Sequence, residues 1–296
     1  MFEGLSVAMV TPFRNGEVDR DATTRLVEHL IGGGVQGLVV SGSTGEAATC
    51  TVEERRDLWR FVKERAQGRA WVVAGTGTNS TADSIVLTRM AEEIGLDGAM
   101  VVTPFYNKPT PKGQAAHFAA VARSTKLPVI LYNVPGRTGT NTTADVLAMV
   151  QDVPNIRAVK EASGNLDQMA QVRTRTRFTL LSGDDSLTLP CISVGGAGII
   201  SVVGHVVPRE MRTLVDHALA GRNAEALAMH QRLMPIFRAA FLESNPSPIK
   251  YLLSEMGICA NELRLPLVPV EPATEKAVLE AGRAVGVTLT GAAARA

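Results

Sequence analysis

The stretch Ile156-Arg157-Ala158-Val159-Lys160-Glu161-Ala162-Ser163-Gly164-Asn165 reads as a short strand, Ile156 to Lys160, running into a polar turn. A lysine closes the apolar run. At the end of a buried strand an ammonium loses solvation, which lowers its pKa and leaves part of it as free amine. Free amine is the form that attacks a ketone to give a Schiff base. A strand-end lysine can equally send its head to water or pair with a carboxylate, and Glu161 is adjacent. The other lysines (Lys63, Lys108, Lys112, Lys126, Lys250 and Lys276) lie in polar, Pro-rich or helix-like segments, so Lys160 is the one that terminates an apolar strand.

Outward from this stretch the same unit repeats. Apolar runs fall at Leu5–Val10, Gly37–Ser41, Trp71–Gly75, Ala99–Val102, Pro128–Tyr132, Ile156–Lys160, Phe178–Leu181 and Gly198–Val202. They are rich in Val, Ile and Leu without strict alternation, as strands buried on both faces should be. Helix-period segments separate them, with recognisable starts. Thr51 and Glu54 form a capping box. Pro111 follows the capping hydroxyl of Thr110. Asp83 and Asp145 put carboxylates in first turns, where the helix dipole favours them.

Eight strand–helix units in series predict an α/β fold, a (β/α)8 TIM barrel over residues 1–207 that carries the active site. Pro208–Ala220, Asn223–Phe241, Pro248–Met256 and Ala273–Val285 then read as a C-terminal helical appendage, 208–287, with a flexible tail at 288–296. A doubly wound sheet would need a glycine fingerprint after the first strand. Thr11-Pro12-Phe13-Arg14-Asn15-Gly16 is not one, and Gly75-Thr76-Gly77-Thr78-Asn79-Ser80 lacks the last glycine and follows the third strand.

Composition removes several classes of function. A net charge of +1 and a pI near 7.8 give no electrostatic reason to expect nucleic acid or an anionic membrane. No apolar run is long enough for a membrane span, and Met1-Phe2-Glu3-Gly4 does not begin a secretion signal. Cys50, Cys191 and Cys259 are odd in number and far apart, which suits reduced thiols in a cytoplasm. The five histidines show no metal-ligand spacing, so neither metal nor cofactor is expected.

Sites in such barrels lie where strand C-termini enter the loops, and the polar residues gather there. Ser41-Gly42-Ser43-Thr44-Gly45-Glu46 follows the second strand, Thr103-Pro104-Phe105-Tyr106-Asn107 the fourth, and Tyr132-Asn133-Val134-Pro135-Gly136-Arg137-Thr138 ends the fifth. Tyr132 and Tyr106, two of only three tyrosines, could form with Thr44 a hydroxyl chain that moves protons at an imine; each could also be a core ring with a satisfied hydroxyl. Arg137 could grip a carboxylate bidentately or be a solvated surface arginine. Gly42 and Gly45 permit a turn whose N–H groups bind carboxylate oxygens.

Gly42 to Glu46, Tyr132 to Thr138 and Val159 to Asn165, in that order and at these spacings, resemble the pyruvate-dependent class I aldolase family that contains dihydrodipicolinate synthase and N-acetylneuraminate lyase. The resemblance covers nearly the whole chain. It implies that Lys160 forms the Schiff base with pyruvate, and that Tyr132, Thr44 and Tyr106 relay protons, Tyr106 from the neighbouring subunit. It implies that Ser43 and Thr44 hold the pyruvate carboxylate, with main-chain groups of Gly183 and Ile200 near it. Arg137 matches the residue that binds the carboxylate of L-aspartate 4-semialdehyde, which favours condensation toward lysine and diaminopimelate over sialic acid cleavage. A homotetramer of tight dimers is the usual assembly.

Departures from the synthase pattern are few. Ser43 stands where threonine is usual, and His205 where asparagine is often found, with no role assigned to it. Of the lysine-feedback site of some synthases, Asn79 and Asp83 are compatible, but Ala47, Val52, Arg55 and Phe105 replace polar groups, so weak or absent lysine inhibition is expected. Alternatives are a pyruvate aldolase acting on a sugar acid or aromatic aldehyde, a non-catalytic barrel that binds a keto acid, and, more remotely, a nicotinamide oxidoreductase.

Overall fold

The structure is a computed structural model that describes residues 1–290. Eight parallel strands close into a barrel in chain order: β1 (Gly4–Ala8), β2 (Gly37–Val40), β3 (Trp71–Gly75), β4 (Gly98–Val102), β5 (Val129–Asn133), β6 (Ile156–Glu161), β7 (Thr179–Ser182) and β8 (Gly198–Ser201), with β8 pairing back onto β1. Every expected strand is present, shifted at its ends by no more than two residues. The shift at β6 has a consequence, because it brings Glu161 into the strand.

Successive side chains on a strand point to opposite faces. Val39, Val73, Ile130, Ala158, Leu181 and Ile200 fill the barrel interior. Their neighbours Leu38, Val72, Leu131, Val159, Leu180 and Ile199 face outward against the helices. Lys160 has the parity of Ala158 and points inward; Glu161 has the parity of Val159 and points out. Phe2 seals the bottom of the barrel, edge-on to Trp71 at 5.0 Å.

Helices α1 (Arg20–Gly32), α2 (Val52–Ala66), α3 (Thr81–Ile94), α4 (Pro111–Arg123), α5 (Pro135–Thr138), α6 (Ala144–Ala148), α7 (Leu166–Arg175) and α8 (Thr188–Ser193) occupy the connections. The Thr51–Glu54 capping box opens α2, and Thr110 caps α4 with Pro111 behind it. One feature escaped the sequence reading: Phe13–Arg14 and Glu17–Val18 form a two-stranded hairpin across Asn15 and Gly16, both at positive φ. An Asn-Gly pair is the residue choice that such a tight turn demands.

The C-terminal helices are α9 (Pro208–Leu219), α10 (Asn223–Ala239), α11 (Ser247–Glu255) and α12 (Pro272–Ala284). α9 packs against β1 and α8, on the barrel wall. The segment between α10 and α11 returns across the mouth. Of the expected tail, Thr290 N donates to Glu255 O at 2.7 Å, and residues 291–296 lie outside the described residues.

Candidate active site

Lys160 stands in register with Tyr132 across the β5–β6 ladder, its Nζ 4.4 Å from the centre of the phenol ring. The lysine is 4% exposed and makes no ion pair among the described residues. Burial pushes its pKa down to about 8; Asp184 and Asp185 pull it back up and Arg137 pushes it down further. Roughly a tenth of it is then free amine at pH 7. Glu161 is not its partner. That carboxylate lies outside the barrel wall, accepting from Asn133 Nδ2 at 3.0 Å, Gln168 Nε2 at 2.9 Å and Ser163 N at 2.7 Å. Burial also holds the Tyr132 phenol well above its usual pKa, so it carries its proton.

A cavity of about 180 Å³ collects these groups. Lys160, Tyr132, Thr44, Ser43, Arg137 and Gly183 all line it. Tyr106 and Ile200 do not. Tyr106 is 88% exposed at φ +71° and lies outside this cavity, so of the three hydroxyl residues only Tyr132 and Thr44 share it. The Ile200 side chain is fully buried in the barrel interior, and Val202 takes the lining position.

The loop after β2 shows why glycine and small hydroxyl residues sit there. A Cβ on Gly45 would come within 2.9 Å of Met9 O, so only glycine passes. Gly45 N and Ala47 N donate to Gly42 O, and Glu46 N to Ser43 O. The N–H groups of Ser43 and Thr44 take no acceptor among the described residues, which leaves two donors for a carboxylate. Gly183 is under a second constraint: a Cβ there would meet Ala162 Cβ at 2.6 Å and Lys160 Cε at 3.1 Å.

Several groups to which the sequence reading gave no role also meet at the site. Asn245, between α10 and α11, donates from Nδ2 to Thr44 Oγ1 at 2.9 Å, and its backbone carbonyl accepts from Arg137 Nη2 at 3.0 Å. Its surroundings, Ser-Asn-Pro-Ser-Pro, read only as a turn. Asp184 lines the cavity, its carboxyl pushed up by burial and drawn down by Lys160. Lys250, read as a helix residue of no note, is fully buried and paired with Glu46 at 2.5 Å. Glu46 Oε2 accepts from Arg264 N at 3.0 Å, so the loop that carries Ser43 and Thr44 is anchored to the C-terminal helices.

His205 acquires a place too. Fully buried, it donates from Nδ1 to Val202 O at 2.7 Å while Nε2 accepts from Val10 N at 3.0 Å. One neutral ring therefore ties the ends of β1 and β8 together beneath the cavity. Asp185 braces the same turn, accepting from Ser201 Oγ and from Val202 N at 3.0 Å. A second cavity of about 330 Å³ adjoins the first across Ser43, Tyr132, Arg137 and Asn245; Ala47, Arg55 and Phe105 line it, but Lys160 does not.

Comparison with known proteins agrees with this geometry. The model of the dihydrodipicolinate synthetase family matches residues 1–283. A 4-hydroxy-tetrahydrodipicolinate synthase of Nitratidesulfovibrio vulgaris is 46% identical over 289 residues, covering 97% of this chain and 99% of its own. The crystal structure of dihydrodipicolinate synthase from Aquifex aeolicus superposes with a TM-score of 0.96 at 40% identity, covering 98% of this chain and all of that one. The chloride-inhibited dihydrodipicolinate synthase from Acinetobacter baumannii, complexed with pyruvate, gives 0.95 at 35% identity over 97% of this chain and 100% of that one. A buried, unpaired lysine facing a tyrosine at the mouth of an eight-stranded barrel, with relatives of this kind along its whole length, establishes that the chain belongs to the dihydrodipicolinate synthetase family.

Proposed function

We propose that this chain condenses pyruvate with L-aspartate 4-semialdehyde to give 4-hydroxy-tetrahydrodipicolinate, on the path to lysine and diaminopimelate. One observation carries the reading. The Lys160 amine is buried, lacks a carboxylate partner among the described residues and shares a small cavity with a protonated phenol and groups suited to carboxylates.

The free amine of Lys160 adds to the keto carbon of pyruvate, and loss of water gives the imine. Ser43 and Thr44 hold the carboxylate through their hydroxyl and N–H groups, with the main chain of Gly183 and Ile200 close by. Tyr132 supplies the proton that expels water, with Thr44 next in the relay. The cationic nitrogen makes the methyl group acidic, so a proton leaves to form the enamine. Arg137 binds the carboxylate of the aldehyde substrate, and the enamine carbon attacks the aldehyde. The amino group of the adduct then displaces Lys160 and closes the ring.

In this reading Tyr106 completes the relay of a second copy, in a homotetramer of tight dimers working in the cytoplasm. Its exposure and left-handed backbone support a contact outside its own chain. Residues 1–207 carry the reacting groups, and 208–287 wall the mouth through Asn245 and Phe241. Borohydride reduction in the presence of pyruvate should leave one adduct, on Lys160, by peptide mass spectrometry; its absence overturns the mechanism. Steady-state rates across a panel of aldehydes then decide the second substrate.

A further inference from the structure

Glu161 follows Lys160 in the chain and is fully buried, yet the proposed condensation gives it no task. Among the described residues no cation lies within ion-pair distance of its carboxylate. A buried charge without a counter-ion is unfavourable unless donors surround it. Asn133 Nδ2 donates to both of its oxygens, at 3.0 and 3.1 Å, Ser163 N to Oε1 at 2.7 Å and Gln168 Nε2 to Oε2 at 2.9 Å. All of these neighbours are donors, so the set is built for a carboxylate and has no acceptor for the proton of a carboxyl.

What the carboxylate grips lies one residue from the phenol. Across the β5–β6 ladder Tyr132 pairs with Lys160, and Asn133 with Glu161. The first pair lines the cavity; the second bonds on the outer side of the wall. Lower in the ladder the register shifts between Val129 and Ile130. A slip of one residue turns every side chain to the opposite face. Pairing from below therefore does not secure the register at the top, and the side-chain bridge between Asn133 and Glu161 does. Asn133 is fixed in turn, its Oδ1 accepting from Thr142 N at 2.8 Å and its Nδ2 also donating to Asn141 Oδ1 at 2.7 Å. From the β4 side Thr103 N donates to Tyr132 O at 2.9 Å, and the Thr103 and Thr142 hydroxyls stand 2.7 Å apart.

We propose that Glu161 is a positioning residue: from behind the barrel wall, through Asn133, its carboxylate holds Tyr132 in register with Lys160 and so places the phenol for proton transfer. The inference rests on the condensation proposed for this site, in which Tyr132 supplies the proton that expels water. The charge works in the same direction. Burial first, then Asp184 and Glu161, keep the phenol protonated against the pull of Arg137.

The test is rapid-quench borohydride trapping with pyruvate alone, read by mass spectrometry, on wild type, Glu161→Gln, Tyr132→Phe and the double variant. Glutamine keeps the shape of the side chain, removes the charge and turns an amide N–H toward donors. A placed general acid contributes roughly 100- to 10,000-fold, and a displaced one forfeits part of that. Glu161→Gln should slow adduct formation at saturating pyruvate by about 10- to 100-fold. The half-saturating pyruvate concentration should change by no more than about threefold, and the final yield should remain one adduct on Lys160. In the Tyr132→Phe background the same substitution should cost less than about threefold, because the group it positions is gone. Equal slowing in both backgrounds marks a merely structural carboxylate and overturns the proposal, as does an unchanged rate in Glu161→Gln. If Glu161→Gln does not fold, Asn133→Ala carries the same comparison against the same two outcomes. It removes the link to Tyr132 and leaves Glu161 bonded to Ser163 and Gln168. Absence of any pyruvate adduct in wild type would instead sink the proposed condensation, so the two failures stay distinct.

Discussion

Lys250 Nζ lies 2.5 Å from Glu46 Oε1, with both side chains out of solvent. The chain therefore buries two lysines and treats them in opposite ways. Lys250 also donates to Glu262 O at 2.7 Å and lies over the Phe13 ring at 4.4 Å, so its charge is answered on several sides. Lys160 has an aromatic face and, among the described residues, no carboxylate within ion-pair distance. An answered charge stays on the nitrogen and holds structure; an unanswered one is given up more readily, which leaves part of the nitrogen as free amine.

Breaking the first pair should be costly. Lys250→Met leaves Glu46 buried and unpaired, and removing one partner of a buried ion pair costs about 3–5 kcal/mol. The double variant Lys250→Met with Glu46→Gln should recover much of that loss. Denaturant unfolding of the four proteins of the cycle measures the coupling; additive single effects would show that the pair does not anchor the loop.

Removing the second lysine should do the reverse. The pKa of Lys160 falls from 10.5 unfolded to about 8 folded. Between those values the unfolded chain binds the extra proton, so stability rises with pH through that window, and below pH 8 the full penalty applies. That penalty is roughly 3 kcal/mol from the size of the shift. Lys160→Met should abolish pyruvate adduct formation yet raise stability at pH 7 by about 1–3 kcal/mol. A less stable Lys160→Met protein would contradict the account of the amine as strained by burial.

Acid should act through histidine. Burial lowers His205 to about 4, against 6.5 unfolded; the hydrogen bond to Val202 opposes that, and His29, itself influenced by Arg209, adds to it. A folded pKa below the unfolded one means that the contribution is complete above pH 6.5 and is lost as pH falls toward 4. At pH 5 the loss is roughly 2 kcal/mol for this ring. His205→Asn keeps one donor and one acceptor but cannot take a proton. Its unfolding free energy should therefore drop less between pH 7 and pH 5 than that of wild type, whereas His205→Leu should be destabilised at both. Equal pH dependence in the Asn variant would remove His205 from the acid response.

Lysine should be a poor inhibitor. Arg55 lines the cavity beside the active site with Ala47 and Phe105, is 7% exposed, and is held by Gly75 O at 2.5 Å. A fixed guanidinium in that space repels the ammonium groups of a diamino acid, and the two other side chains offer no acceptor. Initial rates measured against rising L-lysine should show weak inhibition at most; strong inhibition at low concentration would refute this.

Sequence alone determined the eight strands, because a strand covered on both faces must be apolar along its whole length, and it determined which lysine ends such a strand. It also picked out the glycine and hydroxyl loop at 42–46 and Arg137; residues of that loop and Arg137 itself line the cavity of Lys160. Only tertiary structure decided the rest. In strands apolar on both sides, hydropathy carries no parity signal, so that Lys160 faces in and Glu161 faces out depends on barrel closure. Lys250 and Glu46 stand 204 positions apart, and Asn245 and Thr44 201 positions apart. No local pattern can announce a partner that far away. Burial of a polar residue is a property of what folds over it, and here the chain after α10 does the covering.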